Sequence, residues 1–62
     1  MPGTVVSVGR GAYEVRLGNG HTVRAMLSGK MTQAKIRVMV GDPVEVEMTG
    51  YDLHRGRIVR RL

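Results

Sequence analysis

The residues of this sequence best suited to a chemical task are its arginines. Ten lysines and arginines against five acidic residues leave a net charge of +5 on 62 residues, and eight of the ten basic residues are arginine. The densest group is Arg55, Arg57, Arg60 and Arg61. A planar guanidinium can hold a phosphate through two parallel hydrogen bonds. The pattern therefore predicts a polyanionic partner, with nucleic acid as the first candidate and an anionic membrane surface as the second.

The other titratable residues do not form a catalytic or metal-binding set. There is no cysteine, and neither His21 nor His54 has an evident partner that would make it a general base. Glu45 and Glu47 are spaced like paired carboxylates, but no nucleophile or metal ligand accompanies them. We interpret these glutamates as the solvated face of a strand, and we expect no enzymatic activity, no cofactor and no metal site.

The length predicts one small domain spanning residues 1–62. A chain this short buries only about 60% of the surface that its unfolded form exposes, which excludes most multi-domain enzymes. No apolar run approaches the roughly 20 residues that span a bilayer. The segment Met1-Pro2-Gly3-Thr4 lacks the apolar stretch of a signal peptide. We therefore expect a cytoplasmic location and no membrane partner.

Short valine-rich runs separated by glycines indicate an all-β fold. The predicted strands cover residues 4–8, 12–17, 22–27, 44–48 and 57–60. In the first strand, alternation places Val6 and Val8 on one face, with Val6 opposite Val15 and Val8 opposite Tyr13. The sequence does not decide which face of the last strand points inward, because two apolar residues are adjacent there.

The turn between the second and third strands decides their register. An Asn-Gly turn of two residues would set Val15 opposite Arg24 and bury an arginine. A three-residue loop ending at Gly20 sets Val15 opposite Val23 and leaves Glu14 facing Arg24 on the solvent-exposed face. We therefore predict the three-residue loop, with a positive φ at Gly20.

A short helix separates the third and fourth strands. Ser28 can cap its first turn, and at most about two turns fit before the alternation resumes at Ile36. Five strands with one short helix between strands 3 and 4 match the order of a five-stranded OB-fold barrel. An SH3-like barrel also has five strands and is the structural alternative.

Several stretches in this order resemble the family of bacterial-type translation initiation factor 1. They are Asn19-Gly20-His21, Ser28-Gly29-Lys30-Met31, Ile36-Arg37-Val38, Gly41-Asp42 and Tyr51-Asp52-Leu53-His54-Arg55-Gly56-Arg57-Ile58-Val59. The resemblance spans nearly the whole chain. It departs from the family pattern at Thr32, where an arginine is common, at Lys35, where an aromatic residue is frequent, and at Pro43, where a basic residue is usual.

The resemblance implies an OB-fold barrel that binds the small ribosomal subunit in the decoding region. The implied partners are rRNA, a neighbouring ribosomal protein and two larger initiation factors, and the protein would be a monomer off the ribosome. It would block premature entry of tRNA, without catalysis. An organellar member would act in the plastid stroma instead of the cytoplasm.

Charge and resemblance together predict a set of RNA-contacting residues. They are Gly29, Lys30, Met31, Lys35, Arg37, Tyr51, Arg55, Arg57 and Arg60. Each has a structural alternative: for Gly29 it is a plain turn glycine, for the basic residues it is a solvated charge, and for Met31 and Tyr51 it is packing against the barrel, which we prefer. We interpret Asp52 as a bond to its own backbone or to a neighbouring arginine.

Two other functions fit the composition less well. A cold-shock-like RNA chaperone would stack bases on exposed aromatic rings, and this chain has only two tyrosines and no Phe or Trp. An SH3-like docking module would need an aromatic groove. RNA binding should therefore depend on arginine–phosphate contacts and on shape, as suits a folded rRNA surface.

Overall fold

A computed structural model describes residues 1–62 and shows five strands and one helix. The strands are β1 (Pro2–Val8), β2 (Tyr13–Leu17), β3 (Thr22–Leu27), β4 (Pro43–Met48) and β5 (Arg55–Arg61), and the helix α1 is Gly29–Gln33. The strands close into a barrel in the order β1-β2-β3-β5-β4. Only β3 and β5 pair in parallel. This confirms the predicted OB-fold arrangement, with its helix between strands 3 and 4.

The core consists of side chains that point inward from all five strands, together with one residue of the helix and one of the segment between the helix and β4. Its buried members are Val5, Val15, Leu17, Val23, Ala25, Met31, Val38, Val44, Val46 and Ile58. Valine dominates because its branched Cβ packs well on a pleated surface, and the one ring that packs against this core, that of Tyr13, is only partly buried. The helix itself does not have the length or apolar character needed to cross a membrane.

The register of the β2–β3 hairpin is the predicted one. Val15 pairs with Val23, and Glu14 pairs with Arg24. Gly20 has a φ of 86°, the left-handed value that the three-residue loop requires. The cost of burying an arginine therefore identifies the correct turn.

The predicted face of β1 is wrong near its centre. Val5, not Val6, pairs with Val15, and a bulge follows before Val8 pairs with Tyr13 as predicted. Val5 is 1% exposed, whereas Val6 is half-buried. The bulge adds one residue to β1, which turns the valine before it inward and breaks the simple alternation.

A second irregularity decides which face β5 turns inward. Val46 of β4 pairs with Ile58, but Glu45 pairs with Arg60, so Val59 is an extra residue on β5. Ile58 is completely buried and Val59 only partly. Two adjacent apolar residues are thus accommodated without both pointing into the core.

The helix α1 begins and ends with defined hydrogen bonds. At its start, Oγ of Ser28 accepts a hydrogen bond from the backbone N–H of Met31, at 3.3 Å, as predicted for the cap. At its end, the N–H of Ile36 donates to the carbonyl of Met31 and that of Lys35 to the carbonyl of Thr32. This ending requires a left-handed residue, and Lys35 supplies it with a φ of 56°. The two ends hold Met31 in the core of the barrel.

Candidate nucleic-acid interface

The parallel pairing of β3 and β5 brings basic side chains from two strands together. Arg24 lies beside Arg55, and Met26 lies beside Arg57, all on the outer face of the barrel. Neighbouring strands are about 4.8 Å apart, so these side chains share one surface. They line a groove of about 630 Å³ that also includes Gly29 at the start of α1. None of its nine lining residues carries a carboxylate. We call this surface the β3–β5 groove.

Three arginines of the C-terminal group have carboxylate partners. The pairs are Arg55–Asp52 at 3.6 Å, Arg60–Glu45 at 4.0 Å and Arg61–Asp42 at 3.8 Å. The arginine side chains in these pairs are between 53% and 73% exposed, and ion pairs of this kind contribute little to stability. The other basic residues are exposed and make no ion pair: Arg10, Arg16, Arg24, Lys30, Lys35, Arg37 and Arg57. Most of the positive charge is thus available to a ligand.

The predicted contact residues do not all converge on one place. Gly29, Arg55 and Arg57 meet at the β3–β5 groove. Arg37 lies near the other end of β5, where Nη1 of Arg61 donates to its carbonyl oxygen at 3.2 Å. The two ends of β5 are roughly 20 Å apart at the usual rise per residue. The basic surface is therefore extended along the strand.

Arg60 pairs with a glutamate of β4 and does not line the groove. That residue, Glu45, also accepts a hydrogen bond from the α-ammonium group of Met1. The ammonium group, and to a smaller extent the charge of Arg60, lowers the pKa of Glu45 against the opposing effect of desolvation. Arg60 is partly neutralised here, so it is less available to RNA than the unpaired members of the predicted set.

Met31 and Tyr51, for which packing and RNA contact were both considered, differ completely in exposure. Met31 is 1% exposed and belongs to the core, so the preferred packing is confirmed and its side chain is not accessible to RNA in this structure. Tyr51 is fully exposed in the loop between β4 and β5, so the preferred packing of its ring on the barrel end is wrong. The helix positions Met31 among the core valines, whereas the loop places no covering neighbour over Tyr51.

Hydrogen bonds hold the β4–β5 loop around Tyr51. Oδ1 of Asp52 accepts from the N–H of His54 at 2.8 Å, and its other oxygen pairs with Arg55, as predicted. Nε2 of His21 lies 3.0 Å from the carbonyl oxygen of Leu53, to which it can donate, and the His21 and His54 rings lie 5.2 Å apart. His21 thus links the β2–β3 turn to this loop, a role that the sequence did not indicate. These hydrogen bonds fix the loop that carries the exposed ring of Tyr51.

Lys30 and Lys35 come from the helix and from the residue that ends it. Both are exposed, and neither makes an ion pair. Lys35 adopts a backbone conformation that usually selects glycine and that strains other residues. The hydrogen bonds that end the helix hold Lys35 in this conformation.

Arg24 and Met26 are missing from the sequence-based set. Alternation places Arg24 correctly on the solvent-exposed face, opposite Glu14 of β2. It does not reveal which strand lies on the other side of β3. The closeness of Arg24 to Arg55 follows only from the parallel pairing of two strands distant in sequence. Alternation along β3 is the one signal that could have suggested it.

The exposed groups of this surface are suited to binding an anion. The guanidinium and ammonium groups can donate charge-assisted hydrogen bonds to phosphate oxygens. An exposed tyrosine ring can stack on a base. No group of three or more His, Cys, Asp and Glu side chains lies close enough together to hold a metal ion.

Comparison with known proteins places this barrel among the translation factors. Residues 3–62 match the family model described as Translation initiation factor 1A / IF-1. The solution structure of translation initiation factor 1 from the Wolbachia endosymbiont strain TRS of Brugia malayi is similar, with 40% identity and a TM-score of 0.81 over 100% of this chain and 75% of that one. The crystal structure of YjeQ from Thermotoga maritima is also similar, with 27% identity and a TM-score of 0.81, over 98% of this chain but only 22% of that one. The chain therefore belongs to the translation initiation factor 1A / IF-1 family.

Proposed function

We propose that this protein binds the small ribosomal subunit at the decoding region and acts there by occupancy. Its barrel would fill the space that an incoming tRNA needs, and so prevent premature entry during initiation. The other initiation factors and a neighbouring ribosomal protein would be its partners on the subunit. This role requires no catalysis by the chain, which would be a monomer off the ribosome, in the cytoplasm or in the plastid stroma.

One observation carries this proposal: most of the exposed basic side chains have no carboxylate partner within the protein. Of the predicted contact residues, Lys30, Lys35, Arg37 and Arg57 make no ion pair. A protein that needed its charge only for internal pairing would not leave these groups free. Arginines spaced along one strand suit the backbone of a folded RNA, whose phosphates are also spaced along a line.

The contacts would come from three parts of the structure. Arg55, Arg57 and Gly29 would face RNA at the β3–β5 groove, and the two lysines of the helix region would add phosphate contacts. Tyr51 would stack on an exposed base, and Arg37 would contact the backbone at the far end of β5. Arg60 would join them only if it left its glutamate partner.

Co-sedimentation with purified small subunits, with and without the other initiation factors, tests the proposal. We expect association at moderate salt that weakens steeply as salt is added, because each neutralised phosphate releases counterions. Absence of association under these conditions would remove the proposal. Equally tight binding to free unstructured RNA, with no preference for subunits, would favour a general RNA chaperone instead.

A pair of matched double variants tests the choice of surface. Arg37→Glu with Arg57→Glu reverses two free charges of the predicted surface, whereas Arg10→Glu with Arg16→Glu reverses two free charges outside it. The net charge changes equally in both. We expect the first variant to lose association by at least tenfold more than the second, with both barrels folded. Equal losses would mean that only the overall charge matters.

A further inference from the structure

We propose that the β3–β5 groove is a binding site for a single backbone phosphate, held between Arg24 and Arg55. The inference rests on the proposed function in one respect, that the phosphate belongs to rRNA. It adds a residue, Arg24, that neither the charge pattern nor the family resemblance indicated.

Two like charges lie unfavourably close together in the groove. Arg24 and Arg55 are registered neighbours on adjacent strands, and like charges in such positions destabilise a sheet. Glu14 of β2 lies opposite Arg24, yet the two side chains form no ion pair. Asp52 approaches Nε of Arg55 at 3.6 Å, which is longer than a hydrogen bond, so this guanidinium is only weakly paired. An anion between the two guanidinium groups would remove the repulsion.

The composition of the groove wall also suits an anion. No carboxylate lines it, although Glu47 is the registered neighbour of Arg57 on the adjacent strand. The hydroxyl of Thr49 already donates to the carbonyl oxygen of Arg55 at 3.3 Å, and Met26, which is 60% exposed, adds an apolar surface beside the charges. Two arginine side chains on strands about 4.8 Å apart can contact different oxygens of one phosphate. An apolar surface next to them suits the sugar that follows the phosphate along the chain.

The decisive variant is Arg24→Gln, with Arg16→Gln as its matched control. Arg16 is also exposed and unpaired, but it lies on β2 and does not line the groove. In co-sedimentation with small subunits, we expect Arg24→Gln to weaken association by about tenfold and to reduce the slope of log affinity against log salt by about one. Arg16→Gln should leave both nearly unchanged. Equal effects of the two variants would overturn the inference while leaving the proposed function standing.

A second measurement does not depend on the ribosome. The free protein is titrated with a short RNA oligonucleotide and, separately, with oligoglutamate of the same charge, while backbone amide shifts are followed by NMR. We expect the RNA to shift the amides around Arg24 and Arg55 in the wild type, and these shifts to be absent in Arg24→Gln but retained in Arg16→Gln. Equal shifts with oligoglutamate would indicate a site for acidic peptides, and shifts spread over the whole barrel would indicate no site; either result would overturn the inference.

The melting temperature should change in the direction opposite to the affinity for RNA. Without any ligand, Arg24→Gln should melt at a higher temperature than the wild type, because it removes the repulsion from Arg55. A variant that is merely misfolded would melt lower and would be recognised at once. A lower melting temperature with retained RNA binding would contradict the proposed repulsion.

Discussion

Gly56 of β5 lies directly against Val46 of β4. A Cβ atom placed on Gly56 would be 2.7 Å from Cγ1 of Val46 and 3.1 Å from the carbonyl oxygen of Glu47. The first distance is too short for the strands to keep their present spacing, and the second is tighter than an ordinary contact. Gly56 also lies between Arg55 and Arg57, so the close approach of the two strands sets the position of both arginines.

The variant Gly56→Ala should therefore affect stability and binding together. We expect a loss of about 1–3 kcal/mol in the free energy of unfolding, as for other overpacked sites, measured by chemical denaturation. Association with the small subunit should also weaken, because the flanking arginines move. Gly50→Ala is the control, since nothing lies within 4 Å of a Cβ at that position. Equal stability of the two variants would show that the strands separate at no cost.

Lys35 offers a position where stability and binding should change in opposite directions. Its φ of 56° strains every residue except glycine, and sometimes asparagine. We expect Lys35→Gly to raise the free energy of unfolding by about 1 kcal/mol and to weaken association with the subunit. Lys35→Asn separates the two effects, because it removes the charge at a residue that tolerates this conformation. A stable Lys35→Gly variant with unchanged binding would remove Lys35 from the interface.

The exposed ring of Tyr51 should matter for RNA and not for folding. Because the side chain is fully exposed, Tyr51→Ala should change the free energy of unfolding by less than about 0.5 kcal/mol. If the ring stacks on a base, association should weaken by about tenfold or more. Tyr51→Phe keeps the ring and should bind like the wild type. A loss in both variants would assign the effect to the hydroxyl group and contradict stacking.

Glu45 should give the stability of the barrel a dependence on pH. The α-ammonium group of Met1 and the charge of Arg60 lower its pKa from the ordinary value of 4.5. A carboxyl whose pKa is lower in the folded state stabilises the fold above its unfolded pKa, and this contribution is lost as the pH falls through the folded pKa. We expect Glu45→Gln to melt below the wild type at neutral pH and to match it at acidic pH. Glu47→Gln, at an exposed residue without an ion pair, serves as the control. A difference that stayed constant with pH would contradict the interaction.

The features that the sequence predicts correctly are those for which a wrong choice would bury a charge or break a turn. The β2–β3 register and the cap at Ser28 follow from such local costs, and both are confirmed. The bulge in β1 could not be foreseen, because Val5 and Val6 are the same residue type and only the structure shows which one points inward. The strand order is supplied by analogy with the OB-fold, since pattern alone does not reveal that β5 pairs with β3.

The candidate site was predictable only in its charge and not in its geometry. The arginines of β5 are visible in the sequence, and the structure leaves Arg57 without an ion pair. Arg24, the basic residue registered beside Arg55, is 31 positions away from it in sequence and is brought close by a parallel pairing. The exposure of Tyr51 was missed because a tyrosine in a short loop usually finds a surface to pack on.

The position of β5 between β3 and β4 has a consequence for folding during synthesis. The chain emerges from its N-terminal end, and until β5 is made the first four strands can pair only as an open ribbon. The two strands that flank the gap then present unsatisfied backbone groups, which are templates for unwanted association between nascent chains. Closure waits for β5, so a translation product halted before that strand would be prone to aggregate, whereas the finished barrel has no free edge.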